Sequence, residues 1–253
     1  MKIAISGKGG TGKTTLTALL GHVFLKEGNK VFLIDADPDG NLGVALGFSR
    51  AELSAVKPVS ELKDIINQRT ENNGSGFFKL NPKVDDIPEK YSLKKDNLHL
   101  LILGILKRGG GGCYCPENTF LKALLRNLII ERSEVVIIDM PAGIEHLGRG
   151  TAESVDVLLV VVEPTLKSIQ TAQRLTSLAS DLKMKKILYI GNKITGAPDI
   201  KFLEENILGK LAGYVSSSAE ILEAEKTGSP VYDAAPAALK EASSIREKLF
   251  ENQ

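Results

Sequence analysis

Gly7, Gly12, Lys13 and Thr14 stand at the spacing G-x-x-x-x-G-K-[ST]. A glycine-rich turn of this kind lets backbone N–H groups close round phosphate oxygens at the N-terminus of the following helix. Lys13 then reaches the β- and γ-phosphates of a nucleotide, and the Thr14 hydroxyl ligates Mg²⁺. Gly9, Gly10, Thr11 and Thr15 complete the candidate phosphate loop. The apolar run Ile3-Ala4-Ile5 precedes the turn, and Leu16 to Leu25 carry apolar residues at helical spacing. That context of strand, turn and helix separates a phosphate loop from a chance glycine-rich turn.

Carboxylates end two later apolar runs. Asp139 closes Val135-Val136-Ile137-Ile138 and is followed by Met140-Pro141-Ala142-Gly143. A carboxylate in that place holds the Mg²⁺ of a bound nucleotide, commonly through water. Asp35, Asp37 and Asp39 follow Val31 to Ile34. Carboxylates so crowded repel a nucleotide unless Mg²⁺ or lysine compensates. Asp35 and Asp39 read as residues that cap or position the loop, and Gly40 and Asn41 as turn residues. Asn192 and Lys193 follow Leu188-Tyr189-Ile190. The amide of Asn192 can pair donor to acceptor with a base edge, and a plain turn residue is the alternative. Glu163-Pro164-Thr165 reads as a strand-to-helix turn and cap.

Cys113 and Cys115 follow the four glycines Gly109 to Gly112, with Lys107 and Arg108 just before. Positive charge nearby favours thiolate. One C-x-C supplies two soft ligands, half of a tetrahedral site, and two copies facing each other across a dimer supply four. The ligands alone do not choose the metal, since thiolates take Zn²⁺ readily. The alternative is a pair of incidental free cysteines. His146 reads as a loop or helix surface residue, His22 as structural, and His99 as a strand residue without an evident partner.

The elements that must position these groups alternate. A helix is expected from Lys13 to Glu27, ending at Gly28-Asn29. Strands are expected at Val31–Ile34, Leu98–Leu103, Val135–Asp139, Val155–Val162, Lys186–Ile190 and Leu211–Val215. Helices are expected at Glu117–Glu131, Thr165–Leu182, Ser218–Thr227 and Pro236–Phe250. Residues 49–92 are more polar and read as an insertion, with a short helix near Val59–Gln68 and a weak strand near Phe77–Leu80. Continuous apolar strands alternating with helices predict an α/β fold with a doubly wound, mostly parallel sheet, that is, a P-loop NTPase. In such a sheet ligands bind beyond the carboxyl ends of the strands, where all the motifs above fall.

The 253 residues suffice for a single P-loop ATPase domain over 1–253. A net charge of +1 gives no reason to expect nucleic acid or a membrane as partner. Tryptophan is absent, which disfavours a base-stacking platform. No apolar run approaches the ~18 residues of a membrane span. The first strand begins at Lys2, leaving no room for a signal peptide, so a cytoplasmic location is expected.

The stretch Lys8-Gly9-Gly10-Thr11-Gly12-Lys13-Thr14-Thr15 resembles the deviant Walker A loop of the ATPases that include MinD, ParA and the nitrogenase iron protein. Taken with Asp35-Ala36-Asp37-Pro38-Asp39, the loop that ends in Cys113-Tyr114-Cys115 and the stretch from Asp139 to His146, the chain resembles the CooC/AcsF nickel-insertion ATPases. These are maturation factors for carbon monoxide dehydrogenase and acetyl-CoA synthase, and the likeness covers essentially the whole chain. The resemblance implies that Lys8 crosses a dimer interface to the partner's nucleotide. It implies that Asp37 orients the attacking water, that Gly143 offers its N–H to the γ-phosphate, and that Asn192 contacts adenine. It implies that Cys113 and Cys115 bind Ni²⁺, in a homodimer formed on ATP and metal binding, with one of the two nickel enzymes as client.

Two other functions fit parts of the pattern. An iron–sulfur carrier or electron-donating ATPase would also use four cysteines across a dimer. A MinD/ParA-type positioning ATPase without metal would need a DNA- or membrane-binding surface. The amphipathic stretch Pro236–Gln253 mixes lysine, arginine and glutamate on its polar face, which suits a helix docked on the domain rather than a basic anchor.

Overall fold

The computed structural model describes residues 1–37, 40–74, 77–104, 115–132, 134–144, 147 and 149–251. Cys113, Asp39 and His146 lie outside the described residues.

Eight strands form one sheet: β1 (Lys2–Gly7), β2 (Val31–Asp35), β3 (Leu93–Lys95), β4 (Leu98–Ile102), β5 (Val135–Asp139), β6 (Val157–Val162), β7 (Ile187–Ile194) and β8 (Leu211–Ser216). Their spatial order is β3-β4-β2-β5-β1-β6-β7-β8. All neighbours pair in parallel except β3, which runs antiparallel to β4 at one edge. The helices are α1 (Lys13–Lys26), α2 (Leu42–Ala45), α3 (Arg50–Ala55), α4 (Lys63–Thr70), α5 (Ile87–Tyr91), α6 (Pro116–Arg126), α7 (Arg149–Ala152), α8 (Leu166–Asp181), α9 (Ala197–Asn206), α10 (Ala219–Thr227), α11 (Val231–Ala234) and α12 (Pro236–Phe250). This is the doubly wound, mostly parallel α/β sheet that the apolar runs predict.

The sheet is covered on both faces, so its central strands read as unbroken apolar runs. Strand side chains alternate between faces. Ile3, Ile5, Leu33, Ile137 and Leu159 pack with α1 and α12 on one side. Ala4, Phe32, Ile34, Ile138 and Val160 pack with α6 and α8 on the other. The C-terminal helix α12 buries Ala238, Ala242, Ile245 and Leu249, so it is docked on the fold as its mixed polar face suggested. Among the described residues, no helix is long and apolar enough to cross a membrane.

Four expectations are corrected. The stretch Phe77–Leu80 is irregular rather than a strand, and Phe77 is 83% exposed, so it has no sheet to join. The single helix near Val59–Gln68 is a 3₁₀ turn at Val59–Glu61 followed by α4. The helix over Glu117–Glu131 begins one residue earlier and changes winding: α6 runs into five residues of π-helix at Asn127–Glu131. His99 does have neighbours: its Nδ1 lies 3.8 Å from Glu89 and its ring 4.6 Å from that of Phe32. Glu89 also meets Lys30 at 2.6 Å and Arg132 at 2.9 Å, which hold its carboxyl down to about 2.

Candidate functional site

The site grows from the end of β1. The chain leaves the sheet at Gly7, turns through Gly10 and Gly12 at φ of 79° and 86°, and enters α1 at Lys13. Positive φ is strained for residues with a Cβ, so glycine is required at these turns. Thr11 stitches the loop shut, its N–H and hydroxyl both donating to the Lys8 carbonyl at 3.2 and 2.8 Å. The Asn192 amide donates to the Thr11 carbonyl at 2.6 Å, and the Lys193 ammonium to the Gly10 carbonyl at 2.8 Å. Both residues lie within β7, which runs on to Ile194 and past the expected strand end. Asn192 is therefore a strand residue that braces the loop, which removes the plain-turn alternative. Lys193 is in turn paired with Glu163 at 2.5 Å, giving that glutamate a role that the turn reading did not include. Thr165 caps α8 through the Ser168 N–H, as expected.

β5 lies next to β1 and β2 next to β5, and their ends bring the carboxylates in. Their register sets Asp35 directly beside Asp139, both fully buried. The Thr14 hydroxyl donates to Asp139 Oδ2 at 2.6 Å. Asp139 Oδ1 is buried without a hydrogen-bond partner among the described residues. Burial is the main cause that raises Asp139 to about 7 and Asp35 to about 6, and each carboxyl lies near other acidic groups. Asp35 accepts from the N–H groups of Asp37 and Leu42 at 3.3 and 3.2 Å, so it organises the loop as read from the sequence. Asp37 lies 3.9 Å from the Lys13 ammonium.

These groups fit Mg²⁺. An unpartnered oxygen on a buried carboxylate costs free energy, and a cation of hard, oxygen-seeking character relieves it. Asp139 Oδ1 and the Thr14 hydroxyl are the donors suited to it. Gly143 sits in a buried turn after β5, its N–H directed in this conformation to the Pro141 carbonyl at 2.6 Å.

A cavity of about 630 Å³ opens from the phosphate loop. It is lined by Val44 and Ala45 of α2 and by Asp37. α10 and the chain after it also line the cavity, through Ile221, Glu225 and Val231. A volume of this size with a lining of apolar and polar residues suits a nucleotide. Thr15 reaches Glu225 at 3.4 Å. The sequence reading did not find this part of the lining. The only local signal is the run Ser216-Ser217-Ser218 where β8 ends, at the carboxyl edge where ligands bind.

The cysteine loop connects β4 to α6. Cys115 is half-buried and occupies the N-cap position of α6, with Pro116 in the first turn. The electropositive start of an 11-residue helix suits an anionic thiolate there. Its sequence partner Cys113 lies outside the described residues. Among the described residues, Lys8 meets no carboxylate within 4.0 Å.

Comparison with known proteins gives a consistent picture. The profile of the CobQ/CobB/MinD/ParA nucleotide binding domain matches residues 2–231. The carbon monoxide dehydrogenase accessory protein CooC of Rhodospirillum rubrum is 42% identical over 255 residues, which covers 99% of this chain and 97% of that protein. An uncharacterised ATP-binding protein of Methanocaldococcus jannaschii is 43% identical over 238 residues, 91% of each. Among solved structures, MinD in the MinC:MinD cell division complex of Aquifex aeolicus superposes with a TM-score of 0.70 at 22% identity, over 99% of this chain and 96% of that one. At that identity the likeness speaks for the fold.

Proposed function

We infer the function from a single premise: the chain belongs to the CobQ/CobB/MinD/ParA nucleotide-binding family. It is an ATPase of that family. We read it further as a single P-loop ATPase domain that carries nickel to a carbon monoxide dehydrogenase or an acetyl-CoA synthase. The observation that carries this reading is the 42% identity with CooC over almost the full length of both chains.

In this reading the phosphate loop, Gly9 to Thr15, grips the triphosphate, and Lys13 neutralises charge that builds on the β- and γ-phosphates. Mg²⁺, when bound, would offset the charge of the phosphate oxygens. Thr14 and Asp139 hold it. Asp37, beside Lys13, orients the attacking water. Gly143 offers its N–H once it leaves Pro141, which makes the turn after Asp139 a sensor of the γ-phosphate. Lys8 reaches the nucleotide of a second copy. Asn192 does two things: its amide braces the loop, and its strand end faces the cavity where the base rests.

Nickel is the cargo. Cys113 and Cys115 of two copies supply four thiolates to one ion, and Zn²⁺ competes for the same donors. The helix α6 begins just after its N-cap Cys115 and leads, through Asn127–Glu131, to the strand that ends at Asp139. That connection gives the nucleotide a mechanical route to the metal loop.

The test is metal stoichiometry. Purified metal-free protein is titrated with Ni²⁺ in the presence of MgADP or a non-hydrolysable ATP analogue, with size-exclusion chromatography alongside. One nickel per dimer is expected, lost in the double variant Cys113→Ser/Cys115→Ser. Nickel binding indifferent to the two cysteines, or no binding, would remove the nickel role and leave the ATPase.

A further inference from the structure

The short helix α2 is held at both ends by groups outside the phosphate loop. At its start, Leu42 donates its N–H to the buried Asp35 carboxylate at 3.2 Å. The other oxygen of that carboxylate takes the Asp37 N–H at 3.3 Å. At its end, the Leu46 carbonyl accepts from the Tyr232 hydroxyl at 3.1 Å and from the Lys95 ammonium at 3.4 Å. Lys95 also binds the Gly47 carbonyl at 2.8 Å and lies 4.4 Å over the Phe48 ring.

A four-residue helix has almost no stability of its own. Its place is set by what holds its ends. The Tyr232 ring is itself fixed, stacked on His22 of α1 at 3.9 Å and 6°. Gly47 turns at φ 72° directly against the Pro230 ring, where any side chain would collide. α2, α11 and α1 thus form one braced unit. Val44 and Ala45 of α2 line the same cavity as Asp37, Ile221, Ala224 and Val231.

We propose that Tyr232 and Lys95 are positioning residues for ATP hydrolysis. By holding the C-terminal end of α2 they keep Leu42 seated on the Asp35 carboxylate, and that same carboxylate takes the N–H of Asp37. Neither residue touches the nucleotide. α2 and the backbone of Asp37 hang on one carboxylate, so a misplaced α2 costs turnover while leaving the phosphate grip intact. The inference rests on the reading of Asp37 as the water-orienting residue and not on the metal.

Tyr232→Phe removes one hydroxyl and keeps the stacked ring. Lys95→Met removes the ammonium and keeps the stem over Phe48. Each is expected to lower kcat for ATP hydrolysis about three- to tenfold, as the loss of a single hydrogen bond to a positioned element would. KM for ATP, the affinity for MgADP and the melting temperature stay close to the parent's. A kcat unchanged in both variants would overturn the proposal. So would a fall in kcat matched by an equal loss of MgADP affinity, because that marks a merely structural bond. Asp37→Asn is run beside them. If it turns over at the parental rate, the reading of Asp37 fails and takes this inference with it. If it is inactive while the other two are parental, this inference alone fails.

Discussion

Asp139 sits where a charge is least welcome. It is fully buried, next to Asp35 in register, with one oxygen lacking a hydrogen-bond partner among the described residues. Its ordinary value of 3.8 is raised to about 7 in the folded chain, first by burial. The folded state therefore keeps a proton that the unfolded state has already lost between about pH 4 and pH 7. The stability that this proton supports is full below that window and is lost as pH rises through it. Asp139→Asn removes the charge and keeps the shape. In nucleotide-free, Mg²⁺-free protein at pH 8 it is expected to melt several degrees above the parent, and to melt with the parent near pH 3.5. Differential scanning calorimetry at the two pH values reads this. A variant less stable than the parent at pH 8 would show that Thr14 alone satisfies the carboxylate. Strain of this kind is expected of a group kept for metal binding rather than for packing.

At the scale of elements, the phosphate loop is held by its fit to β7. Gly12 combines a left-handed φ of 86° with the Asn192 amide pressed against the place a Cβ would occupy. Gly12→Ala is expected to abolish MgADP binding by calorimetry and to lower the unfolding free energy by more than ~1 kcal/mol. Gly9 has open space round it, and Gly9→Ala is expected to melt as the parent does. The strands and this loop were legible because local residues decide them: apolar runs buried on both faces, and glycines at fixed offsets. β3 was not legible. Leu93-Lys94-Lys95 is too short and polar to carry a pattern, and pairs only because β4 lies beside it. Phe77 and Leu80 looked like a strand because they are apolar, yet both are exposed. The lining of the cavity was hidden for a different reason. Val44, Ile221 and Val231 meet through the fold's winding, and no spacing in the chain announces that meeting.

The whole molecule is closed by its last helix. α12 lies on α1 and β8, and Ile245 rests on Gly213, where a Cβ would crowd it. Glu241 on the same helix accepts from the N–H and hydroxyl of Ser216, at 2.9 and 2.6 Å, where β8 meets the cavity. Ile245→Ala leaves a hole in a fully packed face and is expected to cost about 2–5 kcal/mol in chemical denaturation. A loss below ~1 kcal/mol would mean that α12 settles into the gap. The two ends of the sheet divide the work. The carboxyl edge carries the strained carboxylates and the cavity. The opposite edge is tied by Glu89 with Lys30, Arg132 and His99.

The π-helical turn at Asn127–Glu131 bears on how such chains diverge. A π turn is an α-helix with one residue too many for its span. Its two neighbours are anchored: Cys115 at the start of α6, and Val135 at the start of β5. A descendant that loses one residue here relaxes to plain α-helix with both anchors in place. Length changes between homologues should therefore gather in this turn, and an alignment of such chains should open its single-residue gap there before touching either the cysteine loop or the strand that ends in Asp139.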